Sequence, residues 1–378
     1  MFNLAKITIA TISLLSLTSS KKVYIDNDGL TAPVALIPLK NGWEIVGMSG
    51  SFGSASLIDS MGQISNILNV YNLSSCIPLY EGANQPLLRR KETFKIWQSM
   101  FGDLVWQGAY DDHYEDMYTW DNVTYDQSIP AALALIDIVK KYKDEDPVYI
   151  YSAGMMTTVA QALSLYPNLV NDSAGLYIMG GFFDTQFAAA TGTPIVNDIN
   201  TDINFIDDPE AAQIVLTAGW KNLVIGANVT NYLVPSQKLY DKLIEKAGGN
   251  LTKIQNTPYL SPLSQLLATG NYSQNNEQQT LPFWDEVVVA FLTDPSLILN
   301  SSNFSVAIDT QFYSPFYGNL RIWGNEFAPK GVKTGNATIV NQIDDDKFYN
   351  LILDVYLDEY RSYCSDGSIG IYNITEEI

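Results

Sequence analysis

Histidine is almost missing from this chain: His113 is the only one in 378 residues, in the acidic and aromatic stretch Tyr110-Asp-Asp-His-Tyr-Glu-Asp116. One imidazole excludes multi-histidine metal centres and leaves little room for a Ser-His-Asp triad, and we read His113 as a loop side chain. Positive charge is scarce too, with 21 Lys and Arg against 41 Asp and Glu and a formal charge of -20. Such a surface cannot displace counterions from a nucleic-acid backbone, and it disfavours polyphosphate ligands. Only two cysteines are present, Cys76 and Cys364. Two cannot staple a fold, and the sequence leaves open whether they pair or stay as buried thiols. No internal repeat, Pro-rich linker or composition break divides the chain, and its 47% hydrophobic residues supply one large core.

The N-terminus reads as an address. Lys6 follows Met1, an apolar run interrupted by Thr and Ser spans Ile7 to Leu17, and Thr18-Ser-Ser20 offers small residues for cleavage. The run is too short to cross a bilayer comfortably. We expect a signal peptide over residues 1–20, one domain over 21–378, and no membrane span once the signal is removed. Asn-X-Ser/Thr sequons occur at Asn72, Asn122, Asn171, Asn228, Asn250, Asn271, Asn300, Asn303, Asn336 and Asn373. They point to an N-glycosylated protein of the secretory pathway, destined for the exterior, a cell wall or a vacuole. Asn228 ends an apparent strand and is expected to stay unmodified.

Short apolar runs alternate with patterns of helical period. Strands are expected at Lys22–Asp26, Glu44–Met48, Ile77–Tyr80, Val148–Tyr151, Leu176–Met179 and Leu223–Ile225, and helices at Leu57–Val70, Ala131–Tyr142 and Thr157–Leu165. Asp208 caps another helix, with Pro209 at its first position and Gly219 beyond its end. Strand, helix and strand in series predict an α/β fold, an open and mostly parallel central sheet with helices on both faces. Ligands of such sheets lie beyond the carboxyl ends of the strands. Asp26 and Asp28 end one strand, Ser152-Ala-Gly154 follows another and Gly180-Gly181 a third. A distant acidic pair, Asp285-Glu286, opens a further helix after Pro282-Phe283-Trp284. Converging carboxylates suit a hard cation or glycosyl chemistry. The polar segment 250–279 reads as a loop or lid, and Asp344-Asp-Asp346 as a solvated helix start.

In order and spacing these residues resemble the inosine/uridine-preferring nucleoside hydrolases, in register from Val23 to about Leu357. Asp26-Asn-Asp-Gly-Leu-Thr-Ala32 is similar to that family's Asp-X-Asp-Pro-Gly-X-Asp-Asp motif. Gly47-Met-Ser-Gly-Ser-Phe-Gly-Ser-Ala-Ser56 stands at its Gly-Asn loop and Tyr80 to Arg89 at its Gly-Ala-X-X-Pro-Leu segment. Ser152 to Thr158 resembles Thr-Gly-X-Leu-Thr-Asn, and Ile178-Met-Gly-Gly181 the Met-Gly-Gly strand end. Asp202-Ile-Asn204 and Asp208-Pro-Glu-Ala-Ala212 follow the Glu-Phe-Asn and Asp-Pro-Glu-Ala-Ala pair, while Trp284-Asp285 stands where the family has His-Asp.

The resemblance implies hydrolysis of the N-glycosidic bond of ribonucleosides by a water that a cleft calcium ion (Ca2+) and an Asp activate. By position Asp28 is the base and a metal ligand, Asp26 supports or shares the metal, Asp285 is a ligand, and Met156 or Thr157 offers a carbonyl. Asn197, Asp202 and Asn204 would hold the ribose, with Asn200 competing for the place of Asn197. Ser54 takes the place of a substrate-loop Asn, and Trp284 offers a surface on which a base stacks. The family commonly forms dimers or tetramers. The departures from its pattern are specific: Thr31, Ala32 and Pro33 are the only candidates for its second Asp pair, and Trp284 replaces a histidine that serves some members as an acid. A weakened relative that binds nucleosides, or a structural secreted glycoprotein on the same fold, is therefore the alternative.

Overall fold

The structure is a computed structural model that describes residues 20–104, 107–183, 202–249, 282–358 and 363–364. The signal segment up to residue 19, the whole of the polar segment 250–279, Asn197 and Asn200 lie outside the described residues. The strands are β1 (Lys22–Asn27), β2 (Glu44–Gly50), β3 (Leu79–Glu81), β4 (Tyr149–Ala153), β5 (Gly175–Ile178), β6 (Leu223–Ile225), β7 (Ile298–Ile308), β8 (Leu320–Trp323) and β9 (Gly335–Ile343). Between and after them run α1 (Ala32–Lys40), α2 (Leu57–Val70), α3 (Lys91–Phe101), α4 (Ala131–Tyr142), α5 (Thr157–Leu165), α6 (Leu169–Asp172), α7 (Ile203–Asp207), α8 (Pro209–Leu216), α9 (Gln237–Lys246), α10 (Trp284–Thr293) and α11 (Asp345–Leu357). Among the described residues no helix is long and apolar enough to cross a membrane.

All nine strands form one sheet in the order β3-β2-β1-β4-β5-β6-β9-β7-β8. The first seven in that order are parallel, and β7 runs antiparallel to both β9 and β8. The expected α/β architecture is thus present, with an antiparallel edge that the sequence reading did not name. Side chains alternate across the sheet as a period of two requires. Val23, Ile25, Tyr151 and Tyr177 pack under α1, α2, α10 and α11, whereas Tyr24, Ile150, Leu176 and Ile178 pack under α4, α5 and α8. Apolar layers on both faces explain why the inner strands read as continuous apolar runs.

Local signals set the helix boundaries. Ser56 accepts the Asp59 N–H at 3.3 Å to cap α2, Asp208 accepts that of Ala211 at 3.1 Å to cap α8 with Pro209 at its first position, and Asp344 caps α11 through Lys347. His113 is exposed in a loop, as expected.

The chain order turns at β1: β2 and β3 lie to one side of it, and β4, β5 and β6 to the other. This reversal opens a crevice between the loops that leave β1 and β4, where ligands of open α/β sheets bind. Far from that crevice, Cys76 and Cys364 form a disulfide across 288 residues of sequence. It ties the last described residues to the segment between α2 and β3, beside Leu73. A cross-link over so long a loop restricts the unfolded chain strongly. Replacing both cysteines by serine is expected to cost about 2–5 kcal/mol of stability, read as a lower thermal midpoint that matches that of the reduced wild type.

Candidate active site

The site starts from strand register. Asp26 of β1 pairs with Ser49 of β2 on one side and with Ser152 of β4 on the other. Three polar side chains therefore form a row across the carboxyl end of an otherwise apolar sheet. The Ser49 hydroxyl donates to Asp26 Oδ1 at 2.6 Å, while Asp26 Oδ2 and the Ser152 hydroxyl, both buried, have no hydrogen-bond partner among the described residues. Two residues on, the chain has left the strand at Asp28, whose Oδ2 accepts the Ser54 N–H at 2.7 Å. Glycine makes room for this carboxyl. A Cβ on Gly53 would sit 2.1 Å from Asp28 Oδ2, and one on Gly154 would sit 2.9 Å from Asp28 Cβ.

Asp28 is the electrostatic centre. Burial lifts its carboxyl to about 7 against the opposing hydrogen bond from Ser54. Burial likewise lifts Asp26 and Asp202 to about 7, with the charge of Asp28 adding to both. Asp207 and Asp285 are pushed well above the carboxylate range by burial, with Asp28 again contributing to each. Four carboxyls from three separate stretches of chain thus feel one charge, which defines a shared, water-poor acidic site.

The wall opposite β1 is the start of α10. Asn27 Nδ2 donates to Asp285 Oδ2 at 2.9 Å, and the Tyr151 hydroxyl donates to the Asp285 carbonyl at 3.0 Å. Thr31 Oγ1 donates to Glu286 Oε1 at 2.6 Å, and burial lifts Glu286 to about 7. Trp284 is half-buried, and its indole N–H donates to Asn231 Oδ1 at 2.8 Å. Its proton is therefore committed, and its ring packs in part against the apolar core.

A third wall comes from α7 and α8. Asp202 caps α7 through the Asn204 N–H at 3.2 Å and also accepts the N–H of Gly181 at the end of β5. Asn204 spends its amide on the Met179 carbonyl at 2.9 Å. Thr157, the first residue of α5, gives its hydroxyl to Asp208, and the neighbouring Met156 carbonyl accepts the Ala160 N–H at 2.9 Å. Thr157 and Asn204 thus brace the framework through these bonds, and Ser54 meets Asp28 through its backbone.

Two participants escaped the sequence reading. Asn27 sits inside the quoted Asp26-Asn27-Asp28 triplet, but only the fold shows that its side chain reaches α10. Asp207 is fully buried, and neither of its oxygens has a hydrogen-bond partner among the described residues. The buried Arg89 guanidinium favours its charged form. Arg89 donates to the Ile206 carbonyl and lies over the rings of Tyr317, Phe94 and Trp97, at 4.5, 4.9 and 5.5 Å from their centroids. The doublet Asp207-Asp208 was a usable signal, since a cap consumes only one of the two acids.

Calcium needs six to eight oxygen ligands. Asp26 Oδ2 is an orphaned oxygen, and Asp28 and Asp285 carry further carboxylates. Yet among the described residues no three His, Cys, Asp or Glu side chains stand close enough together to hold a metal ion. Asp285 faces an N–H donor in Asn27, and Thr31 and Ala32 bring no carboxylate to the β1 turn. This donor set does not fit a resident calcium ion.

Residues 23–350 match the profile of the family described as inosine-uridine preferring nucleoside hydrolase. The chain is 40% identical over 354 residues to an uncharacterized protein of Schizosaccharomyces pombe, covering 93% of this chain and 89% of that one. It is 20% identical over 341 residues to the inosine-uridine preferring nucleoside hydrolase of Crithidia fasciculata, covering 88% and 96%. Among solved structures, a plant nucleoside hydrolase superposes with a TM-score of 0.65 at 16% identity, covering 90% of this chain and 99% of that one. The purine-preferring ribonucleoside hydrolase from Gardnerella vaginalis does so with 0.62 at 17%, covering 90% and 99%. The profile match spans the crevice and all three of its walls, so this chain belongs to the inosine-uridine preferring nucleoside hydrolase family.

Proposed function

We propose that this protein is an N-ribohydrolase that cleaves the N-glycosidic bond of purine or pyrimidine ribonucleosides to free base and ribose. Family membership supports the reaction class, and one observation carries the mechanism: Asp28 is a buried carboxylate raised to about 7 at the crevice of the sheet. A base acts best when its pKa lies near the working pH. The Asp28 carboxylate takes a proton from water, and the resulting oxygen bonds to the anomeric carbon. The bond from that carbon to the base nitrogen breaks, and its electron pair leaves with the base, which is protonated from solvent. The ribosyl group carries positive charge at the transition state, and Asp26 and Asp202, which ionise over the same range as Asp28, stabilise it.

Asp202 retains lone pairs that accept a sugar hydroxyl, and the Oδ1 of Asn204 offers another acceptor. The Trp284 ring is suited to stack on the base. Calcium enters this reading only as what the family resemblance implies; the donor set makes no cage for it, and no step is assigned to it. The absence of a carboxylate at Thr31 and Ala32 favours one second reading, a nucleoside-binding protein that turns over slowly or not at all.

The signal-like N-terminus supports secretion with N-glycosylation. Asn72, Asn122, Asn171, Asn300, Asn303 and Asn336 are exposed. Asn228 instead bonds the backbone of Phe183 in both directions, accepting its N–H at 2.9 Å and donating to its carbonyl at 2.7 Å.

Purified mature protein is expected to release reducing sugar from inosine, uridine, adenosine or cytidine. Asp28→Asn is expected to lower kcat/KM by about 100- to 10,000-fold while keeping the native thermal midpoint; full activity in that variant rejects the role, and no release from any nucleoside favours the binding reading. Because Asp28 works as the anion, kcat/KM should rise with pH and level off above about 7; a profile that falls through that range contradicts Asp28 as base. Glycopeptide mass spectrometry of the secreted chain should find glycan on exposed sequons and none on Asn228.

A further inference from the structure

We infer that in this chain the β1 turn is fastened to α10 by the side chains of Asn27 and Thr31, in place of a divalent cation, so that the carboxylate site assembles without resident calcium. The inference shares its site with the hydrolase reading but rests on hydrogen-bond geometry alone.

The orientation of Asn27 is fixed by a group that can only donate. Gly29 N–H points at Asn27 Oδ1 at 2.8 Å, so this oxygen is the acceptor and Nδ2 must be the atom that faces Asp285 Oδ2, 2.9 Å away. Turning the amide to present its oxygen to an ion would aim its NH2 at the Gly29 N–H, donor against donor, inside a buried turn. Asn27 is fully buried, so water cannot repair that mismatch. The oxygen of Asp285 that faces β1 therefore meets an N–H, and residue 27 offers no oxygen beside it that could join it as a metal ligand.

The second contact repeats the pattern. Thr31 Oγ1 lies 2.6 Å from Glu286 Oε1 and gives it a proton. Thr31 and Ala32 stand where the resembled motif carries its second pair of acids, and the acid of this contact comes from α10 instead. The two bonds join positions 258 and 255 residues apart in sequence, from adjacent residues of α10 to one short turn. A cation between carboxylates would perform the same fastening, but here both links are hydrogen bonds with a neutral partner. Among the described residues no cluster of three acids remains to hold an ion.

The test uses the full secreted chain, with calcium chloride and a chelator as the only probes. Elemental analysis after dialysis, together with thermal unfolding in calcium chloride or chelator, is read for the wild type and for Asn27→Asp, which places a carboxylate beside Asp285. The wild type is expected to carry no stoichiometric calcium and to keep its thermal midpoint in either solution. Asn27→Asp is expected to gain a calcium-dependent rise in midpoint and to bind the ion at least about tenfold more tightly than the wild type. One calcium per wild-type chain, with a midpoint that falls on chelation, overturns the inference, as does an Asn27→Asp chain indifferent to calcium. If Asn27→Asp fails to fold, the wild-type calcium content decides alone. A wild type without calcium that hydrolyses no nucleoside supports this inference while rejecting the hydrolase reading, so the two can fail separately.

Discussion

The cost of placing several carboxyls together out of water governs this molecule. Asp28 contributes charge to Asp26, Asp202, Asp207 and Asp285, each of which is pushed up first by burial, and at Asp285 the charge of Glu286 adds more than that of Asp28. Unpaired buried charges are expensive, so the fold must supply protons, hydrogen-bond donors or an opposite charge. It supplies donors locally: Ser49 to Asp26, Ser54 N–H to Asp28, Gly181 and Asn204 N–H to Asp202, and Asn27 to Asp285. Arg89 supplies the opposite charge near Asp207. Asp26, Asp28, Asp202 and Glu286 are held up to about 7 in the fold, whereas carboxyls of the unfolded chain titrate near ~4. The native state therefore binds more protons between those values. The stability these groups lend is complete below the unfolded value and is lost as pH rises through about 7.

Those donors are in place because the sheet is regular. Parallel pairing puts Ser49 and Ser152 level with Asp26, and the reversal of strand order at β1 opens the crevice above them. Helix starts then deliver the remaining groups: α5 brings Thr157, α7 is capped by Asp202, and α10 carries Asp285 in its first turn. Amides at a helix start favour a nearby negative charge, which is one reason acids gather there. Gly53 and Gly154 let the loops after β2 and β4 press against Asp28, so water has little access to its carboxyl.

Much of this frame was legible in the sequence. The helices Leu57–Val70, Ala131–Tyr142 and Thr157–Leu165 fall on their expected bounds, because their apolar faces keep a 3.6 period and turn residues flank them. The six expected strands sit within two residues of their observed starts, as continuous apolar runs covered on both faces should. The antiparallel edge was not legible: β7 reads Ile-Leu-Asn-Ser-Ser-Asn-Phe-Ser-Val-Ala-Ile, and its first half is largely exposed and polar, with no alternation to mark it. In the site, the order of motifs exposed Asp28, Asp202 and Asp285. The bond from Asn27 to Asp285 could not be read, because it joins side chains 258 residues apart and depends on which way one amide is turned.

That amide also changes what the remaining groups must do. A divalent ion in such a cleft would cancel charge on several acids at once and acidify a bound water. An Asn side chain is neutral: it holds Asp285 in place and leaves the net charge of the cluster unchanged. The field around Asp28 is then more negative than it would be with a cation present. A negative field raises the basicity of Asp28 and lowers the energy of a cationic ribosyl group, while it opposes build-up of hydroxide. On the hydrolase reading we propose, that balance favours early charge on the sugar over build-up of hydroxide. An oxocarbenium-like path suits that order.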